Sequence, residues 1–311
     1  MCKGRRRSLA CRVPFGPSKT YILFPRFATR SFRSRHSHAP PSDIFKAIEH
    51  DDNRDFLLRV SFIEIYNEET RDLLNQSAPL NIREDPKKGV YVDAKETIVT
   101  SFEQVLNVLE AGEKIRHVGS TSMNERSSRS HTIFRITLES RMKNEDGDAI
   151  ADARAPAADS IVRVSTLNLV DLAGSESVRL TGASGERQKE GGKINQSLLT
   201  LSRVIHSLGE ASTTNGFVHV NYRDSKLTRI LQPNLSGNAR IAVICCATPS
   251  ELYLEETRST LQFAARAKLV KTRAKVSEER PTDGPPAPPH TPPPTLTIHI
   301  PRSTRFSTTG R

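Results

Sequence analysis

The chain has 311 residues, 36% of them hydrophobic, and a formal net charge of +11. This length is enough for one large domain with a substantial core, and the absence of a long apolar stretch argues against a membrane-spanning helix. The four cysteines contain no Cys-x-x-Cys pair, which argues against a disulfide framework or a zinc site and suits a reducing compartment.

The positive charge is concentrated at the two ends of the chain. Residues 1–41 contain ten Lys/Arg and no acid, residues 281–311 contain three Arg and one Asp, and the segment between them is close to neutral. A fold that is basic throughout would indicate nucleic-acid binding. Because only the flanks are basic here, we expect no nucleic-acid partner, although local basic loops can still meet an acidic protein surface.

The leader, residues 1–41, is rich in Arg and Ser and has no clear periodicity. It is predicted to be non-homologous or degenerate and disordered. Three interpretations compete for it: a disordered basic arm, an organelle transit peptide, which shares this composition, and aberrant sequence from a mispredicted start or a retained intron.

The next part of the chain alternates helix and strand signals. Ser42 is predicted to cap a helix, and alternating apolar residues predict a strand from Phe56 to Tyr66. The charged segment Asn67–Leu74 is interpreted as a solvated helix face. Ser101, with Gln104 three residues later, predicts a capping box at the start of another helix.

Two polar motifs flank a pair of predicted strands, Thr132–Leu138 and Ile161–Val170. The first motif, residues 124–131, reads Asn-Glu-Arg-Ser-Ser-Arg-Ser-His, and the second begins at Asp171 and continues into Gly174. A buried strand that ends in an Asp can deliver a carboxylate to a Mg²⁺ shell, and the following glycine lets a backbone N–H approach a terminal phosphate. Either motif alone would be interpreted as an ordinary polar loop.

Helical spacing of Ile and Leu predicts a long helix over residues 193–208. Beyond it, Arg223, Lys226 and Arg229 are three residues apart, which predicts one side of a short helix. Composition alone predicts that this side of the helix is a charged face exposed to solvent. An apolar strand is predicted over Arg240–Ala247, with its two cysteines in the core.

The C-terminal part is predicted to contain a helix, Glu255–Val270, and then a tail at residues 279–311. Nine prolines lie in residues 281–311, a composition typical of disordered or polyproline-like chain. No heptad repeat follows the helix. A coiled coil, and dimerisation through one, are therefore not supported by this sequence.

Taken together, Asn-x-x-Ser-Ser-Arg-Ser-His and Asp-Leu-Ala-Gly-Ser-Glu resemble the two nucleotide switches of the kinesin motor family. Leu57–Leu74 and Gly182–Leu198 are most similar to the centromere-protein-E-like subfamily. The resemblance covers residues 42–278 and implies an α/β fold, P-loop NTPase-like, with a central mixed β-sheet flanked by helices on both faces, here lacking the first strands and an intact P-loop. The implied regions are switch I 124–131, switch II 171–176, the relay helix 193–208 and the neck linker 271–278.

The resemblance implies ATP and Mg²⁺ as cofactors. Ser128 and Asp171 would hold Mg²⁺, the carboxylate through water, and the Gly174 amide would sense the γ-phosphate. Arg129 and Glu176 would form an ion pair that closes the site. The implied catalytic residues are Asn124, Ser127, Ser128, Arg129, Asp171, Gly174 and Glu176.

The resemblance also implies a track partner, the microtubule. Lys193, Arg223, Lys226 and Arg229 would contact the acidic tubulin surface, which predicts salt-sensitive binding. The implied location is the cytoplasm and its microtubule cytoskeleton, with the spindle or kinetochore as a narrower expectation. No membrane partner is expected.

A kinesin should carry a P-loop, Gly-x-x-x-x-Gly-Lys-Thr, upstream of these motifs. Here Ser18 replaces the glycine before Lys19-Thr20, and the stretch looks about three residues short of the family pattern. Lys19 and Thr20 are thus either a degenerate P-loop or a chance match, and aberrant sequence is the favoured interpretation of the leader. We expect poor or no ATP hydrolysis by this chain. The alternative function is a non-catalytic microtubule-binding module (a pseudo-motor); a nucleic-acid binder that uses the basic arm is disfavoured.

Overall fold

The computed structural model describes residues 20–25, 40–75, 79–86, 89–118, 129–143, 162–174, 186–214, 218–276 and 278–279. The helices there are α1 Pro40–Glu49, α2 Phe102–Val118, α3 Glu186–Thr214, α4 Lys226–Leu235 and α5 Leu254–Ala267, with 3₁₀ turns at Tyr222–Asp224 and Glu251–Tyr253. The strands are β1 Thr20–Pro25, β2 Arg54–Tyr66, β3 Glu69–Asp72, β4 Ile82–Asp85, β5 Gly89–Val92, β6 Thr97–Val99, β7 His131–Met142, β8 Val162–Leu172, β9 Arg240–Val243 and β10 Glu278–Glu279.

Within the described residues, eight strands form one mixed sheet in the order β3-β2-β7-β8-β1-β9, with β6 on β2 and β10 on β8. β8, β1 and β9 are parallel to one another, and β2, β3 and β7 are antiparallel to their neighbours. Strands β4 and β5 form a separate two-stranded hairpin. The predicted mixed sheet is confirmed.

Alternating side chains of the central strands fill a core on each face of the sheet. On one face Phe62 and Phe134 meet edge to face, with ring centroids 5.3 Å apart, among apolar residues of α1 and α2. A Cβ at Gly112 of α2 would overlap the Phe62 ring, so this glycine allows the close approach of helix and sheet. On the other face Ile133 packs with apolar residues of α3 and α4. Helices therefore cover both faces, as predicted.

The helix predicted over Asn67–Leu74 is wrong. β2 turns at Asn67 and Glu68, both with positive φ (56° and 62°), and returns as β3. Positive φ at two successive residues is the pattern of a tight hairpin turn, which the charged residues of the segment did not reveal. The Asp72 carboxylate is buried rather than solvated, and accepts hydrogen bonds from the Leu74 and Lys95 amides at 2.8 and 2.7 Å.

Three other boundaries differ from expectation. Thr20–Pro25, inside the leader predicted to be disordered, forms β1 between β8 and β9. α3 is 29 residues long and extends the predicted 193–208 helix at both ends. β9 ends at Val243, so Cys246 is exposed rather than part of the core, because it lies beyond the sheet.

The segment after α5, residues 270–276, lies against the body of the domain and is neither helix nor strand. Its alternate amides donate hydrogen bonds to the body: Lys271 N to Ser212 Oγ (3.3 Å), Arg273 N to the Gly237 carbonyl (2.9 Å) and Lys275 N to Asn238 Oδ1 (2.7 Å). Among the described helices, none is long and apolar enough to cross a lipid bilayer.

Candidate functional site

The two polar motifs meet at the β7–β8 pair. The antiparallel register places Thr132 opposite Asp171, so Arg129–His131 lie beside the start of the second motif. Asp171 is buried at the carboxyl end of β8, and Gly174 follows three residues later. The sheet thus brings together the described parts of two motifs that are more than 30 residues apart in sequence.

Arg116 of α2 is a central residue of this site that the sequence did not reveal. Its side chain is 3% exposed and lies 3.5 Å from Asp171 Oδ2 and 3.5 Å from Glu113 Oε1. It also donates two hydrogen bonds of 3.2 Å to Ser130, one to the hydroxyl and one to the carbonyl. One guanidinium therefore joins the end of α2 to both motifs. No local sequence pattern links Arg116 to Asp171.

His131, the last residue of the first motif, is buried and hydrogen-bonded through both ring nitrogens. Nδ1 accepts from the Ala173 amide at 3.0 Å, and Nε2 lies 2.7 Å from Ser197 Oγ on α3. Burial, and secondarily the positive charge of Arg116, lowers the pKa of His131 to about 4. The imidazole is thus neutral near pH 7. The sequence marked His131 as part of the motif without giving it a role.

Several predicted site residues lie outside the described residues: Lys19, Asn124, Ser127, Ser128 and Glu176. Their roles, including the ion pair between Arg129 and Glu176, remain predictions. Thr20 is described as part of β1, where its backbone pairs with Leu167 rather than Asp171. It lies four residues, or about 13 Å, before the level of Asp171. The structure therefore does not bring Thr20 to the Asp171 end of the sheet.

The chemistry around Asp171 fits a water-mediated Mg²⁺ site. Mg²⁺ usually retains several waters and binds one or two carboxylates together with substrate phosphates. Within the described parts of the chain, no three His, Cys, Asp or Glu side chains come together as a metal cage. A single carboxylate with an adjacent glycine turn suits a metal held mainly by water and phosphate, and Asp171 would be its protein anchor.

The predicted cationic residues lie on a different surface, around the start of α4. They do not share one helix: Arg223 lies in the 3₁₀ turn, and Lys226 is the first residue of α4. Arg223 and Arg229 both approach Glu84 Oε2 on β4, at 3.0 and 3.8 Å. Lys193 is exposed on α3. Glu84, which no sequence pattern marks, therefore partly neutralises this cationic surface.

The tip of the β2–β3 hairpin holds the start of α4 in place. Glu68 accepts a hydrogen bond from the Ser225 hydroxyl (2.8 Å) and another from the Lys226 amide (2.7 Å). Ser225 is also the N-cap, because its side chain accepts from the Leu227 amide at 3.2 Å. A carboxylate at a helix N-terminus is favoured by the helix dipole. Gln196 of α3 donates to the Asp224 carbonyl at 3.4 Å, which links α3 to the same surface.

Sequence comparison places this arrangement in a known context. The family model described as Kinesin motor domain matches residues 39–270. The chain is 54% identical over 240 residues to Kinesin-like protein KIN-7L of Oryza sativa subsp. japonica, covering 76% of this chain and 35% of that protein. It is 50% identical over 240 residues to Centromere-associated protein E of Homo sapiens, covering 76% of this chain and 8% of that protein. The chain thus spans about a third or less of these two relatives.

Comparison with solved structures also matches this chain to kinesins. A KIF14 fragment, a dimer in the two-heads-bound state with AMP-PNP and in complex with a microtubule, matches with a TM-score of 0.70 and 33% identity, covering 84% of this chain and 75% of the other. The structure of a fast kinesin matches with a TM-score of 0.67 and 35% identity, covering 93% and 78%. The resemblance inferred from the two motifs is confirmed.

Proposed function

Since this chain belongs to the kinesin motor family, we propose that residues 42–278 act as a microtubule motor domain. The function of such a domain is ATP binding and hydrolysis coupled to microtubule-based movement, as in the microtubule-stimulated ATPases of the family. Because Ser18 stands in place of the P-loop glycine, we expect this chain to hydrolyse ATP poorly or not at all. The observation that carries the proposal is the pairing of Thr132 with Asp171, which joins the two motifs at the carboxyl end of β8.

The residues of the site have distinct parts in this proposal. Mg²⁺, when bound, would stabilise charge on the nucleotide phosphates. Asp171 would hold it through water together with Ser128, and the Gly174 amide would contact the terminal phosphate. Arg116 keeps the Asp171 carboxylate in place through its 3.5 Å contact. Asn124, Ser127, Arg129 and Glu176 retain the roles that the family resemblance implies.

The track surface consists of Lys193, Arg223, Lys226 and Arg229, and its partner is the acidic surface of tubulin. α3 connects this surface to the nucleotide site, because Ser197 contacts His131 and Gln196 contacts Asp224. A location on cytoplasmic microtubules follows from this partner. The 50% identity to Centromere-associated protein E supports the spindle or kinetochore as the narrower location.

Microtubule co-sedimentation tests the proposal. The unaltered chain should bind, and its affinity should fall as salt rises, because exposed charge pairs are screened. Replacing Arg223 and Lys226 together by Gln should weaken binding about tenfold, equivalent to ~1.4 kcal/mol. The matched control replaces Lys46 and Lys114, exposed on α1 and α2, and should leave affinity unchanged. An unaltered chain that fails to bind at low salt would refute the proposed function.

A substitution at Glu84 should have the opposite effect and strengthen microtubule binding. Because its carboxylate pairs with Arg223 and Arg229, it competes with tubulin carboxylates for the same guanidinium groups. Glu84→Gln should strengthen microtubule binding about threefold, the scale of one or two exposed ion pairs. Asp93→Asn removes the same charge from the β4–β5 hairpin region but breaks a pair with Arg83 instead. Equal gains from both variants would show that only net charge matters.

The second candidate function, a non-catalytic microtubule-binding module, is favoured by Ser18 in place of the P-loop glycine. Without a complete cradle of backbone amides, the β- and γ-phosphates lose their main partner. Under this alternative, microtubule affinity is the same with and without ATP, and phosphate release is absent. Ordinary microtubule-stimulated phosphate release would exclude it.

A further inference from the structure

Three buried hydrogen bonds run in series from the turn after β8 to helix α3. The Ala173 amide donates to His131 Nδ1 at 3.0 Å, His131 Nε2 lies 2.7 Å from Ser197 Oγ, and the Ser197 hydroxyl donates to the Ile194 carbonyl at 2.6 Å. We call Ala173, His131 and Ser197 the histidine bridge. The bridge joins three separate elements of the fold, each in the buried region between the two motifs and α3.

Only one arrangement of protons satisfies every member of the bridge. A backbone N–H can only donate, so Nδ1 of His131 must accept and carries no proton. A neutral imidazole then has its single proton on Nε2, which donates to the Ser197 oxygen. The Ser197 hydroxyl proton is directed to the Ile194 carbonyl. The low pKa of His131 keeps this neutral form in place near pH 7.

The histidine bridge is polar and directional, unlike the rest of the contact between α3 and the sheet. That contact is mostly apolar and includes Leu201, Val204 and Ile205 packed near Ile133. Apolar packing is non-directional, whereas a hydrogen bond weakens steeply when its angle is lost. A rotation or shift of α3 that its apolar contacts tolerate would therefore break the bond between His131 and Ser197.

The middle of the bridge is held more firmly than its two ends. His131 begins β7, which is paired along its length with β2 and β8. Ala173 lies beyond the end of β8 at Leu172, and Ser197 is on α3. The backbone of His131 is therefore held by the sheet, whereas its imidazole contacts a turn and a helix that lie outside the strands.

We propose that His131 and Ser197 are positioning residues through which the Ala173–Gly174 turn and helix α3 set each other's position. The inference rests on the proposed function, since it assigns a role to the turn at one end and to the microtubule surface at the other. Movement of the turn changes the direction of the Ala173 amide, the imidazole responds, and α3 loses or gains its directional contact at Ser197. Because coupling between sites is reciprocal, microtubule binding at the α3–α4 surface must in turn affect the Ala173 amide.

This reciprocity allows a test that needs no nucleotide. Hydrogen–deuterium exchange is measured for the peptide that contains Ala173, with and without microtubules, in the full chain. In the unaltered chain, microtubules should change exchange at this amide by at least about fivefold, the lower end of typical coupling between sites. Ser197→Ala, which keeps the Ala173–His131 bond, should abolish this response while the chain still binds microtubules.

Two further variants separate positioning from a general structural effect. Ser197→Thr retains the hydroxyl and should restore the response. Thr213→Ala removes another α3 hydroxyl, one that bonds the carbonyls of Gly209 and Glu210 on its own helix, and should respond like the unaltered chain. General loosening by Ser197→Ala would raise exchange with and without microtubules alike and preserve the ratio, which would overturn the inference.

The remaining outcomes distinguish failure of the inference from failure of the proposed function. If the unaltered chain binds microtubules but exchange at Ala173 does not change, the inference is wrong and the proposed function stands. The same conclusion follows if Ser197→Ala responds as the unaltered chain does. If the unaltered chain does not bind microtubules, the proposed function fails and the inference fails with it.

Discussion

Replacing Arg116 by Ala is expected to destabilise the folded chain by about 3–5 kcal/mol, the usual effect of removing one partner from a buried ion pair. The substitution leaves the Asp171 carboxylate, 9% exposed, and the Glu113 carboxylate, 17% exposed, without the guanidinium 3.5 Å away. It also removes both hydrogen bonds from Arg116 to Ser130. Urea-induced unfolding, followed by circular dichroism at neutral pH, measures the change in the free energy of unfolding.

Two variants calibrate this result. Arg116→Lys keeps the charge but loses the planar fork of donors, so its effect should lie between those of the unaltered chain and Arg116→Ala. Arg71→Ala breaks an exposed pair with Glu69 (3.1 Å), and should cost less than about 1 kcal/mol because solvent screens that pair. A comparably small effect for Arg116→Ala would mean that the buried carboxylates do not depend on Arg116.

Acidification from pH 7 to pH 5 is expected to reduce the free energy of unfolding by about 2 kcal/mol through His131, and by about 3 kcal/mol at pH 4. In the unfolded chain this imidazole binds a proton near its ordinary pKa of 6.5, whereas in the folded chain burial delays protonation to about pH 4. Between these values the unfolded state binds the proton and the folded state does not. The contribution of neutral His131 to the free energy of unfolding is therefore fully present above about pH 6.5 and is lost as the pH drops toward 4.

Comparison with a variant that lacks only His131 separates its effect on the free energy of unfolding from that of the carboxylates. The free energy of unfolding is measured from pH 7 to pH 4 for the unaltered chain and for His131→Asn. The variant has a different absolute stability, but its pH curve should be flatter by about 2 kcal/mol at pH 5. His206→Asn, which replaces an exposed histidine of α3, should retain the steep curve. Parallel curves for the unaltered chain and His131→Asn would contradict the prediction.

The elements that carry the site were predictable because their sequence signals are local. β8 appears as an apolar run that ends at Asp171, and α3 appears as Ile and Leu at helical spacing; both are present in the structure. The mixed sheet with helices on both faces followed from the family resemblance. Ser101 caps α2 as predicted, with Gln104 N donating to Ser101 Oγ at 3.2 Å. The Gln104 side chain reaches back one residue further than a capping box requires, because Oε1 accepts from the Thr100 amide at 2.8 Å rather than from Ser101.

The contacts that could not be predicted from the sequence join distant parts of the chain. Arg116 meets Asp171 only because α2 packs beside the β7–β8 pair, and Glu84 meets Arg223 across 139 positions of sequence. Isolated charged residues on helices and hairpins are usually solvated, and no local pattern identifies the few that are not. The hairpin at Asn67–Glu68 was missed for a related reason. Its turn is stabilised by the pairing of β2 with β3 and by the contact of Glu68 with α4, rather than by glycine.

The way the chain leaves α5 has a mechanical consequence. The segment is held to the body by the amides of Lys271, Arg273 and Lys275. The bonds at Lys271 and Lys275 are exposed to water, so each of these contributes about 1 kcal/mol or less. Because the bonds lie at every second residue, the segment can detach one bond at a time and need not break all of them together. A weak pull from the C-terminal side would therefore first separate β10 from β8 and then break these bonds one at a time, while the same force applied along the segment would load several bonds at once. The direction of tension, more than its size, would determine when this segment releases.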